Sequence, residues 1–276
     1  MKKNFTIQRI VILFFALIYL FITASPFYFM FISGFKSQHE LLTSSVWAFP
    51  KVPTLSNFIN VLKGGFPIYF KNSVIVVIIS VAIILFVSSL AAYIFARINF
   101  KYSKIIYSFI IAGIAIPIHI TLISVYILTR DIGLYDSIAA LIGPYVAFNI
   151  PISIFILTEY MKTLPKEIEE SAYIDGCSLK STFFRIILPL SKPALVTLGI
   201  YNTIIIWNEF VFVLVLTSSP ASRTLPLGIW EFQGKYSANI PMIMAFLTLS
   251  SLPLIIAYLF AQEKIEKGMI AGALKK

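Results

Sequence analysis

The chain has 276 residues, of which 59% are hydrophobic and only 12% are charged, whereas a soluble domain carries about 25% charged residues. A soluble core of this size cannot hide so much apolar surface, so much of that surface must face lipid. The formal charge of +10 indicates basic loops at a membrane face, because the basic residues form no coherent patch for nucleic acid. The single cysteine, Cys177, excludes an intrachain disulfide and a cysteine-rich metal site.

Six apolar runs are long enough, or nearly so, to cross a hydrocarbon core as helices. The predicted spans are roughly 10–33, 72–96, 105–129, 137–158, 193–216 and 241–262. Pro26 and Pro117 lie inside the first and third spans, where neighbouring helices can satisfy the backbone at a kink. The first run continues past Ser25 without a clear cleavage motif, so it is interpreted as an uncleaved span and not as a signal peptide.

The distribution of Lys and Arg predicts the orientation of these spans. If the N-terminus is cytoplasmic, the inner segments carry 15 of the 22 Lys and Arg residues. Cytoplasmic loops are enriched in these residues. The sequence therefore predicts an all-α integral membrane protein with six transmembrane helices and both termini in the cytoplasm.

One inner loop, residues 159–192, is long and evenly charged, with five basic and five acidic residues. A helix is predicted to begin near Pro165, with acidic residues in its first turn, where the helix dipole favours negative charge. Gly176 should end this helix. Ser178 should cap a second short helix that ends at Pro189, and Pro193 should open the fifth span.

Small side chains at Ser171, Ala172 and Gly176 would let another protein approach this loop closely. The alternative is a connector packed against its own bundle. The residues alone leave both interpretations open.

Several motifs resemble those of bacterial binding-protein-dependent ABC importer permeases. Glu170-Ser171-Ala172, Asp175-Gly176-Cys177, Leu188-Pro189 and Pro193 resemble the EAA loop, with Ser171 and Cys177 where alanine is typical. Further similarity to the second permease subunit of the maltose or multiple-sugar type lies in Ile132-Gly133-Leu134-Tyr135-Asp136-Ser137, Trp207-Asn208-Glu209-Phe210, Gly268, Ala271-Gly272-Ala273 and Lys275.

The resemblance implies a type I ABC importer permease fold and import of an oligosaccharide or related sugar in a bacterial cell membrane. Residues 1–70 would form the first helix and an external segment, 71–262 the permease core, and 263–276 a cytoplasmic tail. The loop at 159–192 would couple to an ATPase through Glu170, Ser171, Ala172, Asp175, Gly176 and Pro189.

The resemblance also implies the partners: a homologous permease subunit, two ATPase subunits, an extracellular solute-binding protein, the sugar and membrane lipid. No G-x-x-x-x-G-K-[ST] phosphate loop is present in the sequence. No cofactor is therefore expected in this chain, and ATP and Mg would bind the partner ATPases.

Candidate residues for the sugar pathway are Glu209, Asn208, Trp207 and His119. Glu209 is the acidic residue inside a predicted span, where a charge should face the bundle or a wet cavity. It either lines the pathway or forms a hydrogen-bonded lock between helices. Trp207 could stack on a sugar or anchor at the interface, and His119 could be a polar residue facing the bundle.

Three rival functions remain. A permease for peptides or polyamines would use the same loop. An intramembrane enzyme would have only Glu209 and His119 as catalytic groups. A non-catalytic scaffold would lack an ATPase partner. His39 and His119 lack the spacing of metal ligands, so no metal site is predicted.

Overall fold

The computed structural model describes residues 7–233 and 238–273, with no side chains described at 7–8, 261 and 263–273. Within those residues the regular elements are helices, joined by turns and irregular segments, and one isolated bridge links Gln233 and Ala238. The long helices are α1 (Ile7–Gly34), α4 (Phe66–Arg97), α7 (Ala139–Lys162) and α14 (Ile240–Ala273). The shorter ones are α2 (Gln38–Thr43), α3 (Ser56–Lys63), α5 (Ser103–Ala112), α6 (Leu122–Asp131), α8 (Glu167–Ile174), α9 (Leu179–Thr182), α10 (Leu188–Leu190), α11 (Lys192–Trp207), α12 (Val211–Leu216) and α13 (Leu225–Gly228).

Four of the described helices are long and apolar enough to cross a membrane: Arg9–Gly34, Phe66–Arg97, Ala139–Lys162 and Ile240–Phe260. They confirm four of the predicted spans. Two bent pairs complete a set of up to six, Ser103–Ala115 with Ile118–Asp131 and Leu179–Leu190 with Lys192–Trp207. Prolines inside α1, α7 and α14 do not end these helices.

The predicted third span is not a single kinked helix. Its two halves meet at 93°, with the break at Ile116 and Pro117. Ile116 is extended at φ −77° and ψ 114°, as expected for a residue whose αR conformation clashes with the following proline ring. The kink expected at Pro117 is therefore a complete break between two helices.

The predicted fifth span, 193–216, is also interrupted. The helix begins at Lys192, with Pro193 in its first turn as expected, but it ends at Trp207. Helical structure resumes at Val211 and ends at Leu216. The prediction of one continuous helix over 193–216 was therefore wrong, because the helix is interrupted within the Trp207–Phe210 motif.

The chain divides into two compact units. The first comprises residues 1–67 and 229–253, and the second comprises 68–228 and 254–276. In the first unit, the Asn57 side chain donates hydrogen bonds to the carbonyls of Gly34 and Lys36, both at 2.8 Å, which ties α3 to the end of α1. Most side chains of α1 before Ile32 are exposed in the single chain.

The second unit has a core that joins α4, α7, α11 and the 159–192 loop. Its buried members are Ala92, Tyr93, Leu157, Met161, Phe183, Ile187, Ala194 and Leu198. Phe183 and Ile187 come from the part of the loop that follows α7, so the loop packs into the core of the second unit.

The assigned boundaries at 70, 71–262 and 263–276 remain a prediction. The backbone of α14 continues helically through the predicted tail as far as Ala273. Lys275, like Lys2 and Lys3 of the basic N-terminus, lies outside the described residues.

Candidate docking surface and membrane-embedded polar residues

Helix α8 forms where the sequence places its signals. It begins at Glu167, two residues after Pro165, with Glu167, Glu169 and Glu170 in its first turn. Gly176 ends it in the left-handed region, at φ +81°. The Gly176 N–H donates to the Tyr173 carbonyl at 3.0 Å and the Cys177 N–H to the Ala172 carbonyl at 2.9 Å, the bonds of a glycine C-cap.

One side of α8 is buried and carries a charge. Glu169 is 6% exposed, forms an ion pair with Arg97 at the end of α4, and accepts a hydrogen bond from the Tyr93 hydroxyl at 3.1 Å. Arg97 also donates to the Leu164 carbonyl at 2.8 Å, just before α8. Helix α8 is therefore fixed to α4 through a buried, hydrogen-bonded ion pair.

Ala172 lies on the same buried side and is 4% exposed. The structure corrects the expectation that its small side chain meets a partner, because that side chain packs within its own chain. Ser171 is exposed, and its hydroxyl donates to the Glu167 carbonyl of its own helix at 2.8 Å.

The second half of the loop is also anchored. Ser178 caps α9 as predicted, accepting a hydrogen bond from the Ser181 N–H at 3.3 Å. A π-helical segment, Phe183–Ile187, follows and inserts Phe183 and Ile187 into the core. The Phe183 ring lies 5.1 Å from that of Tyr93, centre to centre.

Pro189 does not end this second helix, contrary to the expectation. It lies in the middle of α10 (Leu188–Leu190), which continues from the π-helical segment. The Leu188 N–H bonds to the Phe183 carbonyl, one residue further back than in an α-helix. Pro189 therefore lies in the first turn of α10, after the π-helical segment, where its missing N–H removes the fewest helix hydrogen bonds.

The opposite side of α8 is open. Glu170, Tyr173, Ile174 and Asp175 are exposed, with Ile174 at 86%. Apart from Gly176 and its two neighbours in the chain, no atom of the described residues lies within 4 Å of where a Gly176 Cβ would be. We call these five residues the α8 face. The α8 face combines acidic groups with the exposed aliphatic side chain of Ile174, and the opposite side of the helix is packed against its own chain. Such a surface is suited to contact with another protein.

Sequence reasoning missed the residues that hold α8 in place. Arg97, Tyr93 and Glu169 come from α4 and the loop, with the third and fourth predicted spans between them. The available signal was an arginine closing a long apolar helix. Nothing in the sequence indicates which carboxylate it meets.

Glu209 lies in the break between α11 and α12. Its carboxylate accepts the N–H groups of Val211 at 2.8 Å and Phe212 at 3.0 Å, and the Tyr145 hydroxyl of α7 at 2.7 Å. The carboxylate therefore satisfies the first N–H groups of α12 and contacts a neighbouring helix.

The other pathway candidates have separate surroundings. Trp207 is 7% exposed and its ring lies 6.0 Å from that of Phe70. Asn208 is exposed, with its side chain donating to the Ile204 carbonyl at 2.8 Å. His119 is exposed in the 3-10 turn Ile118–Thr121 after the Pro117 break. The structure thus brings Glu209 into contact with Tyr145.

The motif at 132–137 forms a turn that follows the C-terminal end of α6. Gly133 and Asp136 both have positive φ, at +74° and +58°. One Asp136 carboxylate oxygen accepts the N–H groups of Ser218 at 2.8 Å and Ser219 at 2.9 Å. Burial opposes ionisation of this carboxyl, but these hydrogen bonds outweigh it and hold the pKa of Asp136 below its usual value.

Among the residues that the structure describes, no group of three or more His, Cys, Asp or Glu side chains could hold a metal ion.

Comparison with known proteins defines the family. The model for "Binding-protein-dependent transport system inner membrane component" matches residues 84–271. A putative ABC transporter permease protein, ORF2 of Caldicellulosiruptor sp. (strain Rt8B.4), is 60% identical and covers 91% of each chain. The trehalose/maltose transport system permease protein MalG of Thermococcus litoralis is 36% identical and covers 98% of each chain.

A solved structure shares the fold. A chain in the crystal structure of a bacterial ABC transporter involved in the import of the acidic polysaccharide alginate matches with a TM-score of 0.78 at 20% identity, covering 95% of this chain and 98% of that one. The family match spans α8, its anchor on Arg97 and the Glu209 break. The chain belongs to the family of binding-protein-dependent transport system inner membrane components, and it is a multi-pass ABC importer permease.

Proposed function

We propose that this chain is one permease subunit of an ATP-driven importer for an oligosaccharide or related sugar, and that it couples to an ATPase through the α8 face. The observation that carries the proposal is a helix fixed on one side by a buried ion pair and bare on the other, within the region that matches the family. The relative named for trehalose and maltose supports the substrate class.

The anchoring of α8 provides the mechanical link. A partner that moves the α8 face also moves Glu169, and with it Arg97 at the end of α4. Helix α4 runs from Phe66 to Arg97, about 48 Å at 1.5 Å per residue. A displacement at the loop is therefore carried along a spanning helix, as expected for rigid elements that switch a cavity between two states.

Residues of the loop divide between two tasks. Glu170, Ser171, Asp175, Gly176 and Pro189 are exposed and would meet the ATPase. Buried Ala172, Glu169 and Phe183 would fix the loop to the bundle. In this proposal the exposed side of the loop is the docking surface, and the buried side is the packed connector.

The proposed assembly contains a homologous permease subunit, two ATPase subunits and an extracellular solute-binding protein. ATP and Mg would bind the ATPases, and this chain supplies binding surfaces and mechanical coupling. The exposed apolar side chains of α1 would lie against lipid and the partner permease.

In the proposed topology both termini and the α8 face would lie in the cytoplasm. Ser56 and Ser178 are exposed in the structure and fall on opposite sides of the membrane in this topology. Cysteine at each position, in a Cys177→Ser background, should be labelled from outside only at Ser56. External labelling at both positions would contradict the topology.

Glu209 is proposed to fix the break that shapes the pathway wall, through Val211, Phe212 and Tyr145. Asn208, the exposed neighbour, would then be the side chain offered to the sugar, while buried Trp207 would support it.

The test is reconstitution of the complete complex in vesicles with its binding protein and a panel of maltooligosaccharides, peptides and polyamines. ATP-dependent uptake of a sugar, lost when the ATPase is omitted, is expected. Uptake of only peptides or polyamines would overturn the substrate class. Assembly without any ATPase would overturn the coupling role and revive the scaffold alternative.

A further inference from the structure

A cavity of about 360 Å³ lies in the second unit, apart from the α8 face and the Glu209 break. It is formed by the end of α4, the turn at 98–102, the beginning of α5 and the end of α7. Its polar lining includes Asn99 and Ser103, and its apolar walls include Phe95 and Phe100. We call it the lysine pocket, because three lysines line it.

Lys101, Lys104 and Lys162 line this pocket. Lys162 is paired with Glu159 at 2.8 Å. Within the described part of the chain, Lys101 and Lys104 form no ion pair with a carboxylate. The pocket therefore carries an excess of positive charge, and its natural ligand is an anion.

Aromatic rings hold two of these ammonium groups. The Lys101 nitrogen lies 5.4 Å from the centre of the Tyr102 ring, and the Lys162 nitrogen lies 5.6 Å from that of Tyr107. Both distances are within the range of cation–π attraction. This contact orients the cations without neutralising them.

Two hydroxyls in the lining add hydrogen-bonding groups to the charge. Thr158, which is 1% exposed, and Tyr107 both line the pocket, and their hydroxyls interact with each other. Because a hydroxyl donates and accepts at once, this pair can also bond to an anion beside the lysines.

The beginning of α5 adds to this attraction. Ser103 and Lys104 are its first residues, and no side chain caps this end. Backbone N–H groups at an uncapped helix N-terminus favour negatively charged oxygen atoms.

We propose that the lysine pocket binds the phosphate of an anionic phospholipid headgroup. A free phosphate ion would share this chemistry. The position favours lipid, because α4, α5 and α7 are parts of predicted spans that begin or end here, at the depth where headgroups lie, and because Phe95 and Phe100 provide apolar walls. Arg97 links this end of α4 to α8, so the pocket lies in the cytoplasmic leaflet if the proposed topology holds.

The experiment measures lipid retained by the purified full transporter complex, using native mass spectrometry after exchange into mixed phosphatidylglycerol and phosphatidylcholine. Wild type should retain phosphatidylglycerol selectively. Lys101→Gln with Lys104→Gln should lower its affinity about 30-fold, at about fivefold for each lysine near an anionic surface. The matched control, Lys166→Gln with Lys192→Gln, removes the same charge from exposed positions outside the pocket and should leave retention unchanged.

Thr158→Val provides a second variant that preserves volume, in case the double variant assembles poorly. It should weaken retention about fivefold by removing one donor. Equal retention by pocket and control variants, or equal retention of phosphatidylcholine, would overturn the proposal. So would inorganic phosphate binding to the pocket without any lipid. Because the measurement does not use transport, its failure is distinguishable from failure of the importer assignment.

Discussion

Replacing Glu169 by alanine should release α8 from α4 and uncouple the loop from the membrane helices. The variant leaves the Arg97 guanidinium buried, with the Leu164 carbonyl as its remaining hydrogen-bond acceptor. It also removes the acceptor of the Tyr93 hydroxyl. The perturbation is therefore a buried cation without its counter-ion, together with a Tyr93 hydroxyl that loses its carboxylate acceptor.

The magnitude follows from burial. The side chains of Arg97 and Glu169 are 6% and 8% exposed, and removing one partner of such a pair costs about 3–5 kcal/mol. The exposed pair Lys162–Glu159, whose side chains are 46% and 50% exposed, contributes about 0–1 kcal/mol. Glu159→Ala is therefore a matched control, with the same substitution near the same loop.

Hydrogen exchange on the assembled complex measures the difference. In Glu169→Ala, amides of residues 167–177 should lose about two to three and a half decades of protection, at 1.4 kcal/mol per decade. ATP hydrolysis should continue with little uptake. In Glu159→Ala, protection should change by less than about one decade. Equal protection of α8 in the two variants would refute the anchoring role of Glu169.

Three further predictions test other positions. Gly176→Leu and Gly133→Leu place leucine at similar positive φ with open space around the Cβ, so each carries similar backbone strain of about 1–2 kcal/mol. Only Gly176→Leu should lose the ATPase on copurification, and equal loss would contradict contact between the α8 face and the ATPase. Glu209→Gln should lower thermal stability while uptake per assembled complex stays near normal, and Tyr145→Phe, which removes one of the same hydrogen bonds, should lower thermal stability less. Unchanged stability with altered sugar preference would instead favour a pathway role for Glu209. The folded pKa of Asp136 is lowered, so its carboxylate stabilises the 132–137 turn above the unfolded pKa, and this stabilisation is lost as pH falls through the folded pKa, below the usual 3.8. Asp136→Asn, which tolerates the same backbone conformation, should remove that acid dependence from a thermal melt. A retained dependence would rule out this carboxyl as its source.

Local signals predicted four of the long helices and much of the loop. Long apolar runs located four spans, because a helix crossing lipid requires about 20 apolar residues. The acidic first turn, Gly176 and Ser178 located α8 and the cap of α9, since each acts through bonds to its own neighbours. These features depend on the adjacent sequence and not on the rest of the fold.

Contacts between distant segments were not predictable in the same way. The partner of Arg97 depends on how α4 packs against the loop, and several acidic residues of the loop were equally available. The 93° bend at Pro117 and the break after Trp207 also exceed what a local rule provides, because proline in a span can be a mild kink or a complete break depending on its neighbours. The burial of Ala172 depends on the same packing between distant segments.

The central claim is that the α8 face contacts an ATPase. A photo-crosslinking amino acid at Ile174, which is 86% exposed, tests this in intact cells, with Val52, 76% exposed and predicted to be outside, as the control position. We predict a crosslinked product at Ile174 that contains a protein with a G-x-x-x-x-G-K-[ST] phosphate loop, and none at Val52. Absence of that product at Ile174 in an assembled, transporting complex, or the same product at both positions, would contradict the account.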